Sequence, residues 1–295
     1  MISWAAAATL FIADYLIEQK DPSAELEPLL PSHFSPLPLT CSEDSSPGTK
    51  LLTLTVPPHM RPSLLAHKSI WSVYIKDDDI QVERPYTPLE GIDENGQMKF
   101  WIKKYPKGEV GRWLHSKKVG ESIEVRGPLQ TWPWEDGIWD EVIMISGGTG
   151  ITPFYQLLHS TIGAAREKSS IATKFTLLHS SRTPAELPPS SILSPLRALA
   201  ETKPEHFKLH LFVDSREGSG DSSGDLKLGQ INKAAIMKAL SSKKVKPDAN
   251  ILFIVCGPDP MVSAIAGPYG RNFSQGDVGG VLKELGCTSS QVRKL

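Results

Sequence analysis

Cysteine is scarce in this chain, and the three residues present (Cys41, Cys256 and Cys287) stand far apart with no CxxC pair. A zinc or iron–sulfur centre needs more ligands at closer spacing, so no metal site is expected. So sparse and odd a count also argues against a disulfide framework and points to a reducing compartment. Net charge is nearly missing as well. The 32 basic residues balance 33 acidic ones to −1, which removes any whole-protein pull toward nucleic acid or membrane. The apolar stretch Trp4 to Ile17 (WAAAATLFIADYLI) is interrupted by Thr9 and Asp14. It falls short of the roughly 20 residues that span a bilayer. No Lys or Arg precedes it, which weakens signal- and transit-peptide readings. It reads as a helix lying on the protein, the stub of a longer precursor, or a membrane-contacting segment.

Turn formers, in contrast, are plentiful: 23 Gly and 24 Pro exceed what a helical bundle needs. At 295 residues, with 40% hydrophobic and 22% charged residues, the chain has the composition of a globular protein with room for two domains. After the apolar segment, a Pro- and Ser-rich stretch to about Gly48 reads as linker and entry to the first domain. From Lys50 to Gly127 short strands alternate with turns: LLTLTV, SIWSVYI, IQVERPY, MKFWIKKY and SIEVRG. Strands at this spacing predict a small antiparallel β-barrel. From Glu141 the rhythm changes: EVIMIS, KFTLLHS, FKLHLFV, NILFIVCG and SQVRKL are separated by helix-length segments. That pattern predicts an α/β domain with a five-stranded parallel sheet. The expected organisation is residues 1–32 as apolar segment and linker, 33–136 as barrel, and 137–295 as α/β domain, divided near Gly137. The segment from Ser215 to Asp225 reads as a flexible surface loop.

Three segments carry chemistry. Arg84-Pro85-Tyr86-Thr87-Pro88 ends a barrel strand. Its prolines hold the backbone extended, Arg84 offers a planar donor fork for phosphate, and Tyr86 offers a flat face and a hydroxyl. Read alone, a plain proline-bounded turn is its alternative. Gly147-Gly148-Thr149-Gly150-Ile151-Thr152-Pro153 follows the strand EVIMIS directly. Its glycines let the backbone approach a pyrophosphate, with Thr152 as expected N-cap, Pro153 at the first helical position, and a helix dipole aimed at the anion. Because the pattern is not GxGxxG, a bare glycine turn is the alternative. Cys256-Gly257-Pro258-Asp259-Pro260-Met261 repeats the geometry after NILFIV, with Asp259 as expected cap. Cys256 would lie at the carboxyl end of a central strand, where open α/β sheets bind ligands. With no base nearby in sequence, its thiol is expected to be a small polarizable wall rather than a nucleophile.

In this order and separation, the three segments resemble the ferredoxin–NADP reductase superfamily, and most closely its cytochrome b5 reductase branch, over Leu51 to the C-terminus. The resemblance implies a barrel that binds FAD, an α/β domain that binds NAD(P)H, and a flavoprotein oxidoreductase passing electrons to a one-electron acceptor such as a haem protein. It implies flavin contacts at Arg84, Pro85, Tyr86 and Thr87, and from the second domain at Thr152. The strand Ile102-Lys103-Lys104-Tyr105 is similar to the family strand whose lysine approaches the nicotinamide dinucleotide, a role that falls to Lys103. Glu109-Val110-Gly111 is similar to the segment wrapping the flavin pyrophosphate, with Gly111 where the family pattern has serine. The dinucleotide is expected at Gly147, Gly148, Thr149, Gly150, Gly257, Pro258 and Met261, and Cys256 and Thr152 are expected at the reacting rings. Ser180-Ser181-Arg182 offers an arginine for a 2′-phosphate, whereas Asp214 resembles the branch's aspartate that favours NADH. The balance points to NADH, with NADPH as the alternative. GEVGRWL, GPLQTWPW and SQGDVGGVLKELG…VRKL also resemble a fungal mitochondrial subgroup that includes the membrane-anchored flavoprotein assisting haem attachment to cytochrome c. That similarity implies a mitochondrial, membrane-associated location, with a cytoplasmic one as alternative. It also implies a rival role as a flavin-bearing assembly factor with little turnover. A monomer is expected, with no nucleic-acid partner. The basic run from Lys99 to Lys118 (also Lys103, Lys104, Lys107, Arg112 and Lys117) is a candidate docking face for an acidic haem protein. Neutralised cofactor phosphates and solvated lysines are the alternative. Trp132 and Trp134 are expected to pack between the domains.

Overall fold

The computed structural model describes residues 28–61, 69–163, 172–217, 226–241 and 250–295. The first domain is built from β1 (Ser35–Asp44), β2 (Thr49–Thr55), β3 (Ser69–Lys76), β4 (Glu83–Tyr86), β5 (Gln97–Lys103), α1 (Glu109–Ser116) and β6 (Ser122–Pro133). They form one six-stranded antiparallel sheet in the order β4-β3-β6-β1-β2-β5. Alternate residues turn inward, as the two-residue period of a strand requires. Leu37 and Leu39 of β1, Leu52 and Leu54 of β2, Val73 and Ile75 of β3, and Phe100 and Ile102 of β5 meet in one core. Val110, Trp113 and Leu114 of α1 close it.

Strand β1 corrects the sequence reading, which placed it in a linker. Pro36 and Pro38 suggested that the segment could not join a sheet. Both fall in the part of β1 that pairs only with β6; pairing with β2 begins at Leu39. A proline is tolerated where its missing N–H faces no partner strand. The burial of Ser35–Asp44 then alternates as in an ordinary strand, with Leu37 and Leu39 inside.

The second domain comprises β7 (Glu141–Gly147), α2 (Thr152–Thr161), β8 (Lys174–Ser181), α3 (Ser190–Thr202), β9 (Phe207–Val213), β10 (Leu226–Leu228), α4 (Lys233–Ala239), β11 (Ile251–Cys256), α5 (Asp259–Ala266), α6 (Gly280–Glu284) and β12 (Val292–Lys294). Its sheet is parallel throughout, in the order β10-β9-β8-β7-β11-β12. It has six strands rather than the expected five. The extra one, β10, is three residues long and only half-buried, so it leaves little hydrophobic pattern to read. The expected loop before it lies mostly outside the described residues, as does the apolar segment at 4–17.

Strand β7 is buried at every position, because helices cover both faces of a parallel sheet. Val142 and Met144 face Phe154 and Leu157 of α2 and Ile192 of α3. Ile143 and Ile145 face Ile236 of α4, Val262 of α5 and Leu282 of α6. The chain winds from β7 outward through β8, β9 and β10, then crosses back to lay β11 on the other side of β7. The strand order therefore reverses between β7 and β11, the point where open α/β sheets leave a crevice at their carboxyl ends.

Trp132 and Trp134, at and just beyond the end of β6, stack edge to face with centroids 5.9 Å apart. Trp134 also packs on Phe175 of β8. The tryptophans are thus interdomain packing. No helix among the described residues is long and apolar enough to cross a membrane.

Candidate functional site

The two glycine turns meet at the reversal of strand order. A Cβ on Gly150 would lie 2.4 Å from the Cys256 carbonyl oxygen, and one on Gly257 would lie 3.0 Å from the Gly147 nitrogen. A Cβ on Gly147 would lie 2.6 Å from Met261 Sδ. Side chains at these positions would force the turns apart, so glycine is required by close approach. Gly148 differs: its φ is +53° and the space before it is open. The turn at the end of β7 therefore leaves room beside its backbone, as a bound phosphate would need.

Here the structure revises the expected helix starts. A 3₁₀ turn, Gly148–Ile151, leads into α2, so Ile151 holds the N-cap position and Thr152 is the first helical residue. Thr152 has helical angles (φ −58°, ψ −44°) and makes no side-chain cap. Likewise Pro258, not Asp259, occupies the N-cap of α5, and Asp259 is its first residue. In both places the tight turn carries the chain into the helix one residue early.

The candidate residues of the barrel gather around Lys103, which bonds Glu186 of the second domain. Arg84 is exposed at the end of β4, while Tyr86 is packed against the barrel core. Burial pushes the Tyr86 phenol well above its ordinary value, so it stays protonated as a hydrogen-bond donor. Its hydroxyl lies beside Gly111, 3.9 Å from where a Cβ would stand. That same Cβ would sit 3.0 Å from the Lys103 carbonyl oxygen, a tight fit for any side chain there. Glu109, Val110 and Gly111 form the first turn of α1, whose N–H groups have no partner within the helix. Free amides, Tyr86 and Arg84 together suit a pyrophosphate-bearing flavin.

The two halves are tied by side chains that the sequence did not single out. Gln156 of α2, only 3% exposed, accepts from the Trp71 N–H at 2.8 Å and donates to the Pro88 carbonyl at 2.9 Å. It thereby fixes the end of the Arg84–Pro88 segment to the helix that follows the glycine turn. A Gln in the otherwise buried run FYQLL was its only trace in the sequence. Glu186, just after β8, bonds Lys103 at 3.0 Å across the domains and Arg182 at 2.8 Å within its own. Burial alone would raise the Glu186 pKa, but hydrogen bonds from Arg182 and Lys103 outweigh it and hold the carboxyl below its usual range. Tyr105 is exposed, with Lys103 Nζ 5.9 Å from its ring centroid, and Asp214 stands at the end of β9. The Asp214 N–H bonds the Ser181 carbonyl, which brings it beside Arg182.

Ser181 turns its hydroxyl inward, donating to the Glu186 carbonyl at 3.2 Å. It belongs to a chain running from Ser146 through His179, whose ring nitrogens lie 2.8 Å from Ser146 Oγ and 3.2 Å from Ser181 Oγ. His179 is fully buried, and desolvation pushes its imidazole down to about 3, so it is neutral. Burial pushes the Cys256 thiol up to about 12, which makes it a poor nucleophile. Pro258 is exposed beside it, and Thr149 and Thr152 line the turn opposite.

Comparison with known proteins agrees with this geometry. Residues 36–134 match an oxidoreductase FAD-binding domain and residues 144–267 an oxidoreductase NAD-binding domain. NADH-cytochrome b5 reductase 2 of Lodderomyces elongisporus is 32% identical over 259 residues, covering 88% of this chain and 82% of that protein. Its namesake in Yarrowia lipolytica is 29% identical over 291 residues, covering 98% and 94%. Among solved structures, the cytochrome b5 reductase domain of Ulva prolifera nitrate reductase superposes with a TM-score of 0.70 at 21% identity. It covers 91% of this chain and 100% of that one, and shares the fold. An FAD-binding domain and an NAD-binding domain in one chain, with relatives of this likeness over nearly the whole chain, place the protein in the NADH-cytochrome b5 reductase family of FAD-dependent oxidoreductases.

Proposed function

We propose that the protein takes reducing equivalents from NADH and passes them singly to a haem protein. The observation that supports this most directly is the pair of side-chain ties between the domains. Gln156 bonds the Trp71 N–H and the Pro88 carbonyl, and Glu186 bonds Lys103, so the segments carrying Tyr86 and α1 are joined to the domain that carries the Gly148 and Cys256 turns. FAD, when bound, would supply the conversion of a two-electron hydride from NADH into one-electron steps. The protein's part is orientation. Arg84 and the first turn of α1 would hold the flavin diphosphate, and the turn at Gly148 the dinucleotide diphosphate. Thr152 and the protonated Cys256 would wall the reacting rings.

A haem acceptor is favoured by the relatives' names and by charge. Lys104, Lys107, Arg112 and Lys118 are exposed, and among the described residues no carboxylate pairs with them. Lys99, Lys103 and Lys117 are instead paired to Glu90, Glu186 and Asp78. The four free cations form a patch suited to steering an acidic partner. The mitochondrial, membrane-associated location remains our proposal from the resemblance, to be tested by fractionation.

Anaerobic NADH should bleach the flavin absorbance of the purified protein and support ferricyanide reduction. No ferricyanide turnover with either nucleotide overturns the enzyme reading. Turnover with ferricyanide but none with acidic haem proteins removes the acceptor. Stable flavin, negligible turnover and partner capture through the basic patch would instead mark an assembly factor.

A further inference from the structure

Glu186 occupies an unusual electrostatic position. Its carboxylate binds Arg182 through two contacts, Nε at 3.0 Å and NH2 at 2.8 Å, and Lys103 through a third at 3.0 Å. It is the least exposed of the three side chains at 14%, against 19% for Lys103 and 71% for Arg182. Asp214 adds a second carboxylate near Arg182 and further stabilises its charge. Arg182 follows β8 directly, and Asp214 follows β9 directly. Both therefore stand at the carboxyl ends of strands beside the crevice, where the adenosine ribose of a dinucleotide lies in such sheets. Two cations and two carboxylates cancel there.

Resting on the NADH-oxidoreductase reading, we propose that Glu186 is a specificity-determining residue that selects the unphosphorylated ribose over a 2′-phosphate. It does so by occupying Arg182 and Lys103. An arginine whose fork is already bonded to a carboxylate offers little to a second anion, because phosphate must displace that partner and then sit beside its charge. The same contact from Lys103 reaches Glu186 across the domain boundary, so nucleotide choice and domain closure share one side chain. Asp214 acts with Glu186 by repulsion, whereas Glu186 acts by sequestration. Removing its charge while keeping its shape therefore sets free an arginine already in place.

The test uses the flavin-loaded full chain and two probes without a nicotinamide, 5′-ADP and 2′,5′-ADP, titrated calorimetrically. In Glu186→Gln the affinity ratio of 2′,5′-ADP to 5′-ADP should rise about tenfold, equivalent to roughly 1.4 kcal/mol. The ratio of kcat/KM for NADPH to that for NADH should move with it. Adding Arg182→Ala should return the ligand ratio to the wild-type value. A ratio that moves less than about twofold in Glu186→Gln, within ordinary non-additivity, overturns the proposal. So does a gain that survives in the double variant, or an equal loss of both ligands together with lower thermal stability, which would make Glu186 only a latch. Should the glutamine variant not fold, Glu186→Asp keeps the charge but is too short to hold both cations, and must shift the ratio in the same direction. Wild-type protein that binds neither probe would instead remove the NADH reading beneath the proposal.

Discussion

Replacing Gln156 with leucine should unlock the two domains. The side chain is almost completely buried and satisfies two main-chain groups of the barrel domain, the Trp71 N–H and the Pro88 carbonyl. Leucine fills nearly the same volume but can pair with neither group, and water has no ready path to replace it. Each buried group left unpaired costs about 1–3 kcal/mol. Trp71 is only half-buried and tends to the lower figure. The expected loss is about 2–5 kcal/mol, large beside the roughly 5–15 kcal/mol that stabilises a typical domain. Urea unfolding followed by tryptophan fluorescence, with calorimetry beside it, reads the loss. In the leucine variant the transition should also split, because the domains no longer report on each other. Flavin should dissociate faster, since Pro88 anchors the segment that begins at Arg84. A midpoint shift equivalent to less than about 0.5 kcal/mol in leucine, the range of an ordinary surface change, would refute the reasoning.

Other tests follow from the site. His179 has a folded pKa of about 3, below that of an unfolded histidine, so the unfolded state binds its proton first as pH falls. Stability from this group is complete above about pH 6.5 and should decline by about 1.4 kcal/mol per pH unit below it. His179→Gln should flatten that slope in urea titrations between neutral and mildly acid pH. His210, also pushed down by burial but half exposed, adds a weaker slope of the same sign. Alanine at Gly150 meets the Cys256 carbonyl and should abolish dinucleotide binding measured by calorimetry. Alanine at Gly148 meets open space and should cost only the strain of its left-handed backbone, roughly 1–2 kcal/mol. With its thiol held near 12, Cys256 should resist iodoacetamide at pH 8, and rapid alkylation would contradict so raised a pKa. Reversing Lys104, Lys107 and Arg112 to glutamate should slow haem-protein reduction in stopped-flow at low salt. The effect should vanish as ionic strength rises; a salt-independent effect would point away from steering.

Much of this molecule is written locally. EVIMIS followed by four small residues, and NILFIVCG followed by Pro258, announce buried strands running into tight turns, and both strands and turns are found there. What escaped the sequence has definite causes. The prolines of β1 obscured a strand because the side on which a neighbour pairs is a property of the sheet. The cap at Ile151 was missed because a 3₁₀ turn leads into the helix, and the cap at Pro258 because the helix there begins one residue early, at Asp259 itself. Gln156 and Glu186 act on groups 85 and 83 residues away, and nothing local marks them as partners. The direction of a hydroxyl such as that of Ser181 likewise follows from His179 beneath it.

The crossover that sets β11 against β7 also governs when the molecule can become competent. Ser146 and Cys256 face each other in register, yet more than a third of the chain lies between them. Closing so long a loop carries an entropic cost before the pairing returns anything. A nascent or truncated chain ending before β11 would present the first glycine turn to solvent without its opposing wall. The crevice is therefore among the last features to form, and nucleotide should be captured only by a nearly finished fold.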